Sequence, residues 1–311
     1  MAPNEITGLG SLAGLGVFTA VAPPPADAGY FAGGSASPRN AITKLLFAGD
    51  TITTLSAVLS SQRTQLAGMA NSGTAGYAGG GFLSGTGKVT TIDKLTFQGE
   101  TRSTLATGLS IARLDLAGMA NSGTAGYFGG GNFEGVVDTI DKIGFSNDSR
   151  STLGTGLIQA RQSLAGMANS GTAGYFGGGS NNNIVDKINF SNDSRSMLGS
   201  GLSSTRSALS AMANSGTAGY FAGGENTSFV TTVNKYAFSN DSRTTLATGL
   251  SVARSYSSGM AKSGTAGYIG GGNSSTTVDK FAFSNDSRTT LATGLPAATE
   301  SQASFANSGT L

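Results

Sequence analysis

The tripeptide Ala-Gly-Tyr occurs six times in the chain, and this repetition constrains the fold more than any other feature. Its tyrosines are Tyr30, Tyr77, Tyr127, Tyr175, Tyr220 and Tyr268. Successive copies are therefore 45 to 50 residues apart. A repeat of that length fits a four-stranded blade of a β-propeller much better than a pair of helices. The chain is therefore predicted to form an array of six similar units.

One copy, in residues 163–206, shows how each unit is organised. Residues 163–169 are small and apolar, and they are followed by a tight turn and the glycine-ended segment 173–178. Residues 184–190 alternate between apolar and polar side chains, as strands do, and residues 196–202 form a fourth extended segment. No segment keeps the 3.6-residue period of a helix. We therefore predict four strands per unit, named strands A, B, C and D, and little helix.

The unit resembles the kelch repeat, which forms four-stranded propeller blades. The resemblance rests on the pattern Tyr-x-Gly-Gly at the end of strand B, as in residues 77–80 and 127–130, and on an aliphatic-x-aromatic pattern in strand C. An arginine also recurs before strand A, at Arg63, Arg113, Arg161, Arg206 and Arg254. The kelch tryptophan of strand D is absent, and leucines such as Leu105 and Leu153 stand near its place. The resemblance covers residues 28–311 and implies an all-β propeller.

The two ends of the repeat region complement each other. Residues 28–34 enter the first unit at strand B, and residues 303–310 are a strand A with its turn. Joining them would make a mixed sheet that leaves no open sheet at the seam. We therefore expect a six-bladed propeller over residues 28–311, closed by the C-terminal strand. Strand A is innermost in kelch-like propellers, which implies gap-filling side chains near a central channel. These side chains are Met69, Met119, Met167, Met212, Met260 and Phe305.

The composition excludes several classes of function. The chain has no histidine and no cysteine, which excludes Ser-His-Asp and Cys-His catalysis, thiolate zinc sites and disulfides. Charged residues make up 12% of the chain and its net charge is +2, so no basic surface for nucleic acid is indicated. We predict a non-enzymatic protein with no metal and no cofactor.

The units differ most in the loop between strands B and C. In an antiparallel blade, this loop shares a rim with the connection from strand D to the next strand A, while the A–B and C–D turns lie at the other rim. The A–B turn is nearly constant, whereas the B–C loops vary in length and chemistry. Variable loops on a constant frame are typical of binding surfaces, but loop tips also drift when nothing constrains them. The sequence leaves both interpretations open.

The candidate binding residues lie on these B–C loops. They are Arg39, Phe82, Lys88, Asn132, Phe133, Asn181, Asn182, Glu225, Phe229 and Asn273. The three phenylalanines favour binding, because exposed aromatic side chains on polar loop tips call for a partner. The five recurring arginines come from the same rim, where they either form a ring or pair singly with a neighbouring carboxylate or carbonyl group.

A lysine also recurs in every strand C, usually directly after an aspartate. The six are Lys44, Lys94, Lys142, Lys187, Lys235 and Lys280. We interpret them as members of structural Asp–Lys pairs.

Residues 1–27 lie outside the repeats. Residues 6–26 carry no charge, and their number approaches the length of a membrane span. Scattered glycines and the three prolines at residues 23–25 argue against a helix, and the first five residues lack the basic start of a signal peptide. We therefore predict no membrane span, and an apolar arm that docks on a partner protein in an oligomeric assembly.

Homogeneous kelch-like repeats with short polar tips also look like virion appendage proteins of tailed bacteriophages, such as tail-fibre or neck proteins. This resemblance implies a structural or adhesion protein in the virion, or otherwise an extracellular one. It would dock on other virion proteins through residues 1–27 and contact a host-surface receptor or glycan through its loops. A soluble carbohydrate-binding propeller is the second alternative. A hydrolase that uses Glu134, Asp138 and Glu225 is the third.

Overall fold

A computed structural model describes residues 27–308, and the structural statements below concern these residues. They form 27 β-strands and no helix, which confirms the prediction of an all-β protein. The predicted docking arm, residues 1–27, lies outside the described residues except for its last position.

The strands are short, and none exceeds five residues. Those of the first half are β1 (Ala28–Ala32), β2 (Ile42–Leu46), β3 (Thr51–Thr54), β4 (Arg63–Thr64), β5 (Ala67–Asn71), β6 (Ala75–Gly79), β7 (Phe82–Leu83), β8 (Gly87–Lys88), β9 (Ile92–Thr96), β10 (Thr101–Thr104), β11 (Ala117–Asn121), β12 (Ala125–Gly129), β13 (Ile140–Gly144) and β14 (Ser149–Thr152). Those of the second half are β15 (Ala165–Asn169), β16 (Ala173–Gly177), β17 (Val185–Asn189), β18 (Arg195–Met197), β19 (Ser210–Asn214), β20 (Ala218–Ala222), β21 (Val233–Ala237), β22 (Ser242–Thr245), β23 (Ser258–Lys262), β24 (Ala266–Gly270), β25 (Val278–Ala282), β26 (Arg288–Thr290) and β27 (Ala303–Ala306).

Most of these strands form antiparallel four-stranded sheets, which we number along the chain. Sheet 1 has the order β27-β1-β2-β3, sheet 2 the order β5-β6-β9-β10, and sheet 3 contains β11 to β14. Sheet 4 contains β15 to β18, sheet 5 contains β19 to β22, and sheet 6 contains β23 to β26. Within each sheet the strands follow the predicted order A, B, C and D. This repeated architecture is consistent with a β-propeller.

The number of sheets differs from the prediction. The sequence indicated six, whereas the described residues contain seven, because a three-stranded sheet of β4, β7 and β8 accompanies sheet 2. The B–C loop of sheet 2 folds back as the β7–β8 hairpin, and Gly85 within it has a positive φ of 83°. This hairpin pairs with β4, which precedes strand A of the same sheet. The repeat pattern does not predict this hairpin, because pairing with a two-residue strand elsewhere in the chain leaves no local pattern.

Sheet 1 is built from both ends of the described chain. β27 pairs with β1 in an antiparallel register that sets Phe305 opposite Tyr30. The backbone amide of Asn307 donates to the carbonyl oxygen of Ala28 at 2.9 Å, and its side-chain oxygen accepts from the Ala28 amide at 2.9 Å. Sheet 1 therefore takes its strand A from late in the sequence and its other three strands from the beginning.

Neighbouring sheets are joined by backbone hydrogen bonds two residues before each strand A. The amide of Asp115 donates to the carbonyl of Gln65 at 2.9 Å, and the amide of Gln65 donates to the carbonyl of Ser301 at 2.7 Å. The same bond joins each successive pair in the series Gln65, Asp115, Ser163, Ala208, Tyr256 and Ser301. The series runs from sheet 2 through sheets 3, 4, 5 and 6 to sheet 1, and then returns to sheet 2.

The apolar core lies between successive sheets. Met119 and Tyr127 of sheet 3, for example, belong to one buried cluster with Phe176 and Phe190 of sheet 4. A β-carbon at Gly174 would overlap Met119, so close packing requires glycine at this position. The strand A methionines and Phe305 are buried between sheets in this way. None of them lines the pocket enclosed by the strand A segments. Their predicted role as gap-filling side chains agrees with the structure.

The strand C lysines join one sheet to the next. Lys142 pairs with Asp193 of the following sheet at 2.6 Å, and the hydroxyl of Tyr127 donates to the same carboxylate at 2.7 Å. Phe190 stacks on Tyr127 with ring centroids 5.3 Å apart. The corresponding pairs are Lys44–Glu100, Lys94–Asp148, Lys187–Asp241, Lys235–Asp286 and Lys280–Asp50. Five of the six lysines therefore form the predicted structural Asp–Lys pair, and Lys44 pairs with a glutamate instead. The partner is not the preceding residue of strand C, because adjacent residues of a strand point to opposite faces.

Candidate binding surface

The B–C loops and the D–A connections meet at one rim of the sheets. In sheet 3, the backbones of Asn132 and Leu114 exchange hydrogen bonds of 2.8 and 3.2 Å. In sheet 5, the backbones of Glu225 and Ser207 exchange two bonds of 2.9 Å. Each bridge ties a loop to the connection that leads into the same sheet. Backbone hydrogen bonds therefore fix the start of these variable loops to the D–A connections.

Three phenylalanines on these loops are the most conspicuous candidates. Phe82, Phe133 and Phe229 are 37%, 38% and 50% exposed, whereas the other described phenylalanines are at most 8% exposed. Covering apolar surface with a partner is favourable by about 25 cal/mol for each Å² that is removed from water. These three side chains are therefore available to a partner in a way that the aromatic residues of the core are not.

The ten predicted loop residues divide by exposure. The exposed ones are Arg39, Phe82, Phe133, Asn181 and Phe229, and the half-buried ones are Lys88, Asn132, Asn182, Glu225 and Asn273. Some of the second group brace the rim. The Lys88 ammonium donates to the side-chain oxygen of Asn132 at 2.7 Å, which links the loops of sheets 2 and 3. Asn182 donates to the side chain of Gln159 at 2.8 Å. The structure therefore brings these residues to one rim but occupies several of them with internal contacts.

The five recurring arginines are not exposed. Arg63, Arg113, Arg161, Arg206 and Arg254 are at most 1% exposed, so the alternative of an arginine ring open to a partner is wrong. Four of the five arginines instead pair with a neighbouring carboxylate, as the other alternative predicted. These pairs are Arg63–Asp93 at 2.6 Å, Arg113–Asp141 at 3.0 Å, Arg161–Asp186 at 2.7 Å and Arg254–Asp279 at 2.9 Å. Burial lowers the pKa of these four arginines, and the paired aspartate opposes that effect.

Each arginine also holds the backbone of its sheet. Arg63 Nη1 donates to the carbonyl oxygens of Gly80 and Thr91 at 2.8 and 2.9 Å. The carboxylate of Asp93 in turn accepts from the amide of Ser60 at 3.0 Å, in the connection from the preceding sheet. The pair therefore ties strand B, the B–C loop, strand C and a neighbouring connection together.

In sheet 5 the arginine has no carboxylate partner. Arg206 Nη2 donates to the side-chain oxygen of Asn234 at 2.5 Å, and Nη1 donates to the carbonyls of Gly223 and Thr232 at 2.8 and 3.0 Å. Burial lowers the pKa of Arg206 to about 10. The guanidinium group therefore stays charged at neutral pH while it is held by neutral oxygen atoms alone.

A pocket that sequence comparison missed lies where the strand A segments begin. It encloses about 110 Å³ and is lined by residues from all six four-stranded sheets. Asp115 lies in its wall, where burial raises the pKa of its carboxyl group against the opposing hydrogen bonds from Gln65 and Ser163. The six residues of the hydrogen-bonded series that begins with Gln65 all line this pocket and vary in chemistry. These residues lie four positions before each strand A methionine or Phe305. The variation at that position of the aligned repeats could have indicated the pocket.

The acidic residues considered for a hydrolase do not form a cluster. Glu134 and Asp138 lie on the B–C loop of sheet 3 and are exposed, whereas Glu225 lies on the loop of sheet 5. Among residues 27–308, no group of three or more acidic, histidine or cysteine side chains is placed to hold a metal ion. This part of the chain also contains no helix that could span a membrane.

No protein-family model matches the chain, and no curated protein matches it in sequence. Its function is therefore inferred from its own residues.

Proposed function

We propose that the six four-stranded sheets are the blades of a closed, six-bladed propeller of the kelch-like type. Two independent sets of contacts support this proposal. The backbone bonds that start at Gln65 pass through every four-stranded sheet and return to it, and the pair Lys280–Asp50 joins sheet 6 to sheet 1. In this arrangement the three-stranded sheet belongs to the second blade as a folded loop. Removal of residues 303–311 should then abolish cooperative unfolding, whereas an open array would tolerate the loss.

We propose further that the protein is a non-enzymatic binding protein that uses its B–C rim for adhesion. The observation that carries this proposal is the exposure of Phe82, Phe133 and Phe229 on loops of unlike sequence, above a frame of nearly identical sheets. The loop residues of such a protein can change its binding specificity without lowering its stability, because the loops contribute little to the core.

The same proposal assigns the protein to a virion appendage of a tailed phage. Residues 6–26 are uncharged and apolar, which suits docking on another virion protein. The rim would then face a host-surface receptor or a second virion protein. Homogeneous repeats with little charge support this assignment, since they suit a rigid spacer between an attachment point and a receptor.

The loop part of the proposal is tested by removing the three aromatic side chains together. The variant F82S/F133S/F229S should keep the urea midpoint of the parent protein, because these side chains lie on loops and belong to none of the buried core clusters. Adsorption of the fluorescently labelled protein to a panel of bacterial cells should fall at least tenfold. Equal adsorption of variant and parent, or no adsorption to any cell type, would refute the adhesive rim.

A matched control removes an exposed apolar residue away from the rim. Met197 is 55% exposed on β18, the outer strand of sheet 4, and M197S should leave adsorption unchanged. A glycan array separates the lectin alternative from protein recognition. Binding to one defined sugar that survives F82S/F133S/F229S would favour the lectin.

The docking arm is tested by deletion of residues 1–26. The shortened protein should remain folded, with the circular dichroism of the full chain, but should no longer form an oligomer by light scattering. An unfolded product would contradict an arm that only docks.

A further inference from the structure

Sheet 1 lacks the buried ion pair that braces four of the other sheets. When the repeats are aligned on the first residue of strand A, Thr299 of sheet 1 takes the position of Arg254 in sheet 6. In strand C, Thr43 takes the position that Asp279 occupies in sheet 6, and both lie one residue before the lysine that recurs in every strand C. Both members of the pair are therefore replaced by the same short neutral side chain.

The third component of the brace is absent as well. The amide of Ser251 donates to the carboxylate of Asp279 at 2.9 Å, and Ser60 makes the same bond to Asp93 in sheet 2. The corresponding residue next to sheet 1 is Pro296, which has no amide hydrogen to donate. Three residues from opposite ends of the described chain, Thr43, Pro296 and Thr299, therefore differ from the other repeats at the same site of sheet 1.

A cavity occupies the place of the missing side chains. It encloses about 280 Å³, and its wall includes Thr43, Thr299 and Pro296. Gly33 and Ala41 also line it, and they correspond to Gly80 and Thr91, whose carbonyl oxygens accept from Arg63 in sheet 2. The backbone that receives a guanidinium group elsewhere is thus retained, while the side chain that supplies the group is missing.

Neutral oxygen atoms are sufficient to hold such a group in this protein. Arg206 is fully buried with two backbone carbonyls and the amide oxygen of Asn234 as its acceptors. The cavity of sheet 1 offers the same two carbonyl positions, at Gly33 and Ala41, together with the threonine hydroxyls. A cation in this cavity would therefore have an acceptor set close to the one that holds Arg206 in sheet 5.

We propose that the cavity of sheet 1 is a binding site for a guanidinium group supplied from outside the propeller. The ligand is either a small free guanidinium compound or the side chain of an arginine on a partner protein. Residues 1–26 contain neither arginine nor lysine, so that segment of the chain cannot fill the cavity with its own side chain cation. The lining includes the exposed residues Pro38, on the B–C loop of sheet 1, and Pro296, on the connection that leads into its strand A. This site is independent of the adhesive role of the phenylalanines.

The direct test is titration of the full chain with N-methylguanidinium, followed by calorimetry and by amide chemical shifts. One saturable site per chain is expected, with shifts centred on the amides of Gly33, Thr43 and Thr299. N-methylurea has a similar shape without the charge, and methylammonium has the charge without the planar fork. Both should bind at least tenfold more weakly. Equal affinity for N-methylurea, or no saturable binding of N-methylguanidinium, would overturn the proposal.

The matched variant restores the brace found in the other sheets. T43D/T299R/P296S fills the cavity with the protein's own guanidinium group and should lower the affinity for N-methylguanidinium at least tenfold. Unchanged affinity would overturn the assignment of the site. A second variant covers failure of the first to fold: R206T/N234T removes the group from sheet 5 and should raise the stoichiometry from one site to two. A stoichiometry of one in that folded variant would contradict the role of the carbonyl pair.

Two short peptides distinguish the sources of the ligand. An acetylated and amidated Gly-Arg-Gly peptide that binds at least as tightly as N-methylguanidinium would support an arginine of a partner protein. A peptide that binds at least tenfold more weakly would support a small free compound. A Gly-Lys-Gly peptide that binds as tightly as the arginine peptide would refute recognition of a guanidinium group.

Discussion

Replacement of Asn234 by aspartate should stabilise the protein. Arg206 is the one member of the five recurring arginines without a carboxylate, and burial lowers its pKa to about 10. A decrease of that size from the usual arginine value corresponds to roughly 3 kcal/mol of unfavourable burial of the charge. An aspartate at position 234 would offset part of this cost with a charge-assisted hydrogen bond.

The neighbouring sheet shows that the site accepts a carboxylate. Asp279 accepts from the hydroxyls of Ser251 and Thr290 at 3.0 and 2.7 Å. The equivalent hydroxyl of Ser203 is already placed to donate to the side-chain oxygen of Asn234 at 3.1 Å. The hydroxyl of Thr245 accepts from the Asn234 side chain at 2.9 Å and only needs to rotate in order to donate instead. Burial of the new carboxylate costs part of the gain, so the net increase in the free energy of unfolding should be about 1–2 kcal/mol.

The assay is urea unfolding at pH 7, followed by circular dichroism, with the slope of the transition held equal between variants. N234D should shift the midpoint upward, and the thermal midpoint should rise by about 2–6 °C. The reverse change D279N in sheet 6 is the control and should destabilise by about 1–2 kcal/mol, because it converts the pair Arg254–Asp279 into the arginine–asparagine contact of sheet 5. A fall in stability for N234D would refute the reasoning, since it would show that burying a second charge costs more than the pairing returns.

Three further predictions concern the contacts between sheets. The free energy of unfolding should fall as the pH rises above about 10, because burial raises the pKa of tyrosines such as Tyr175 beyond that of an unfolded tyrosine. The folded protein then keeps protons that the unfolded chain releases. A free energy of unfolding that stays constant at alkaline pH would contradict this prediction. K187M should lower the free energy of unfolding in urea by about 0.5–1 kcal/mol, since its pair with Asp241 is only partly buried. G174A should cost about 1–3 kcal/mol in the same assay through overlap with Met119, and M119A in the same chain should recover part of that loss; additive losses would argue against direct contact.

The repeated unit was predictable because its determinants are local. The alternation of small, apolar and polar residues identifies strands such as β17, and the tight turns between them follow from short glycine- and asparagine-containing segments. Alignment of the copies then separated a constant frame from variable B–C loops. The exposure of Phe133 agrees with its position on such a loop. The β7–β8 hairpin escaped prediction, because its pairing partner β4 lies outside the local window.

The amino-acid sequence by itself determined the strands of the six four-stranded sheets, their order in each of these sheets and the loops that vary. Only the tertiary structure decided the partners of the charged residues. Lys142 meets Asp193 of the next sheet rather than the adjacent Asp141, and the recurring arginines turn inward instead of lining the rim. The cavity in sheet 1 likewise appears only when Thr43 and Thr299 are brought together. The physical reason is that strand pattern depends on neighbours along the chain, whereas burial and pairing of a charge depend on which sheets pack against each other.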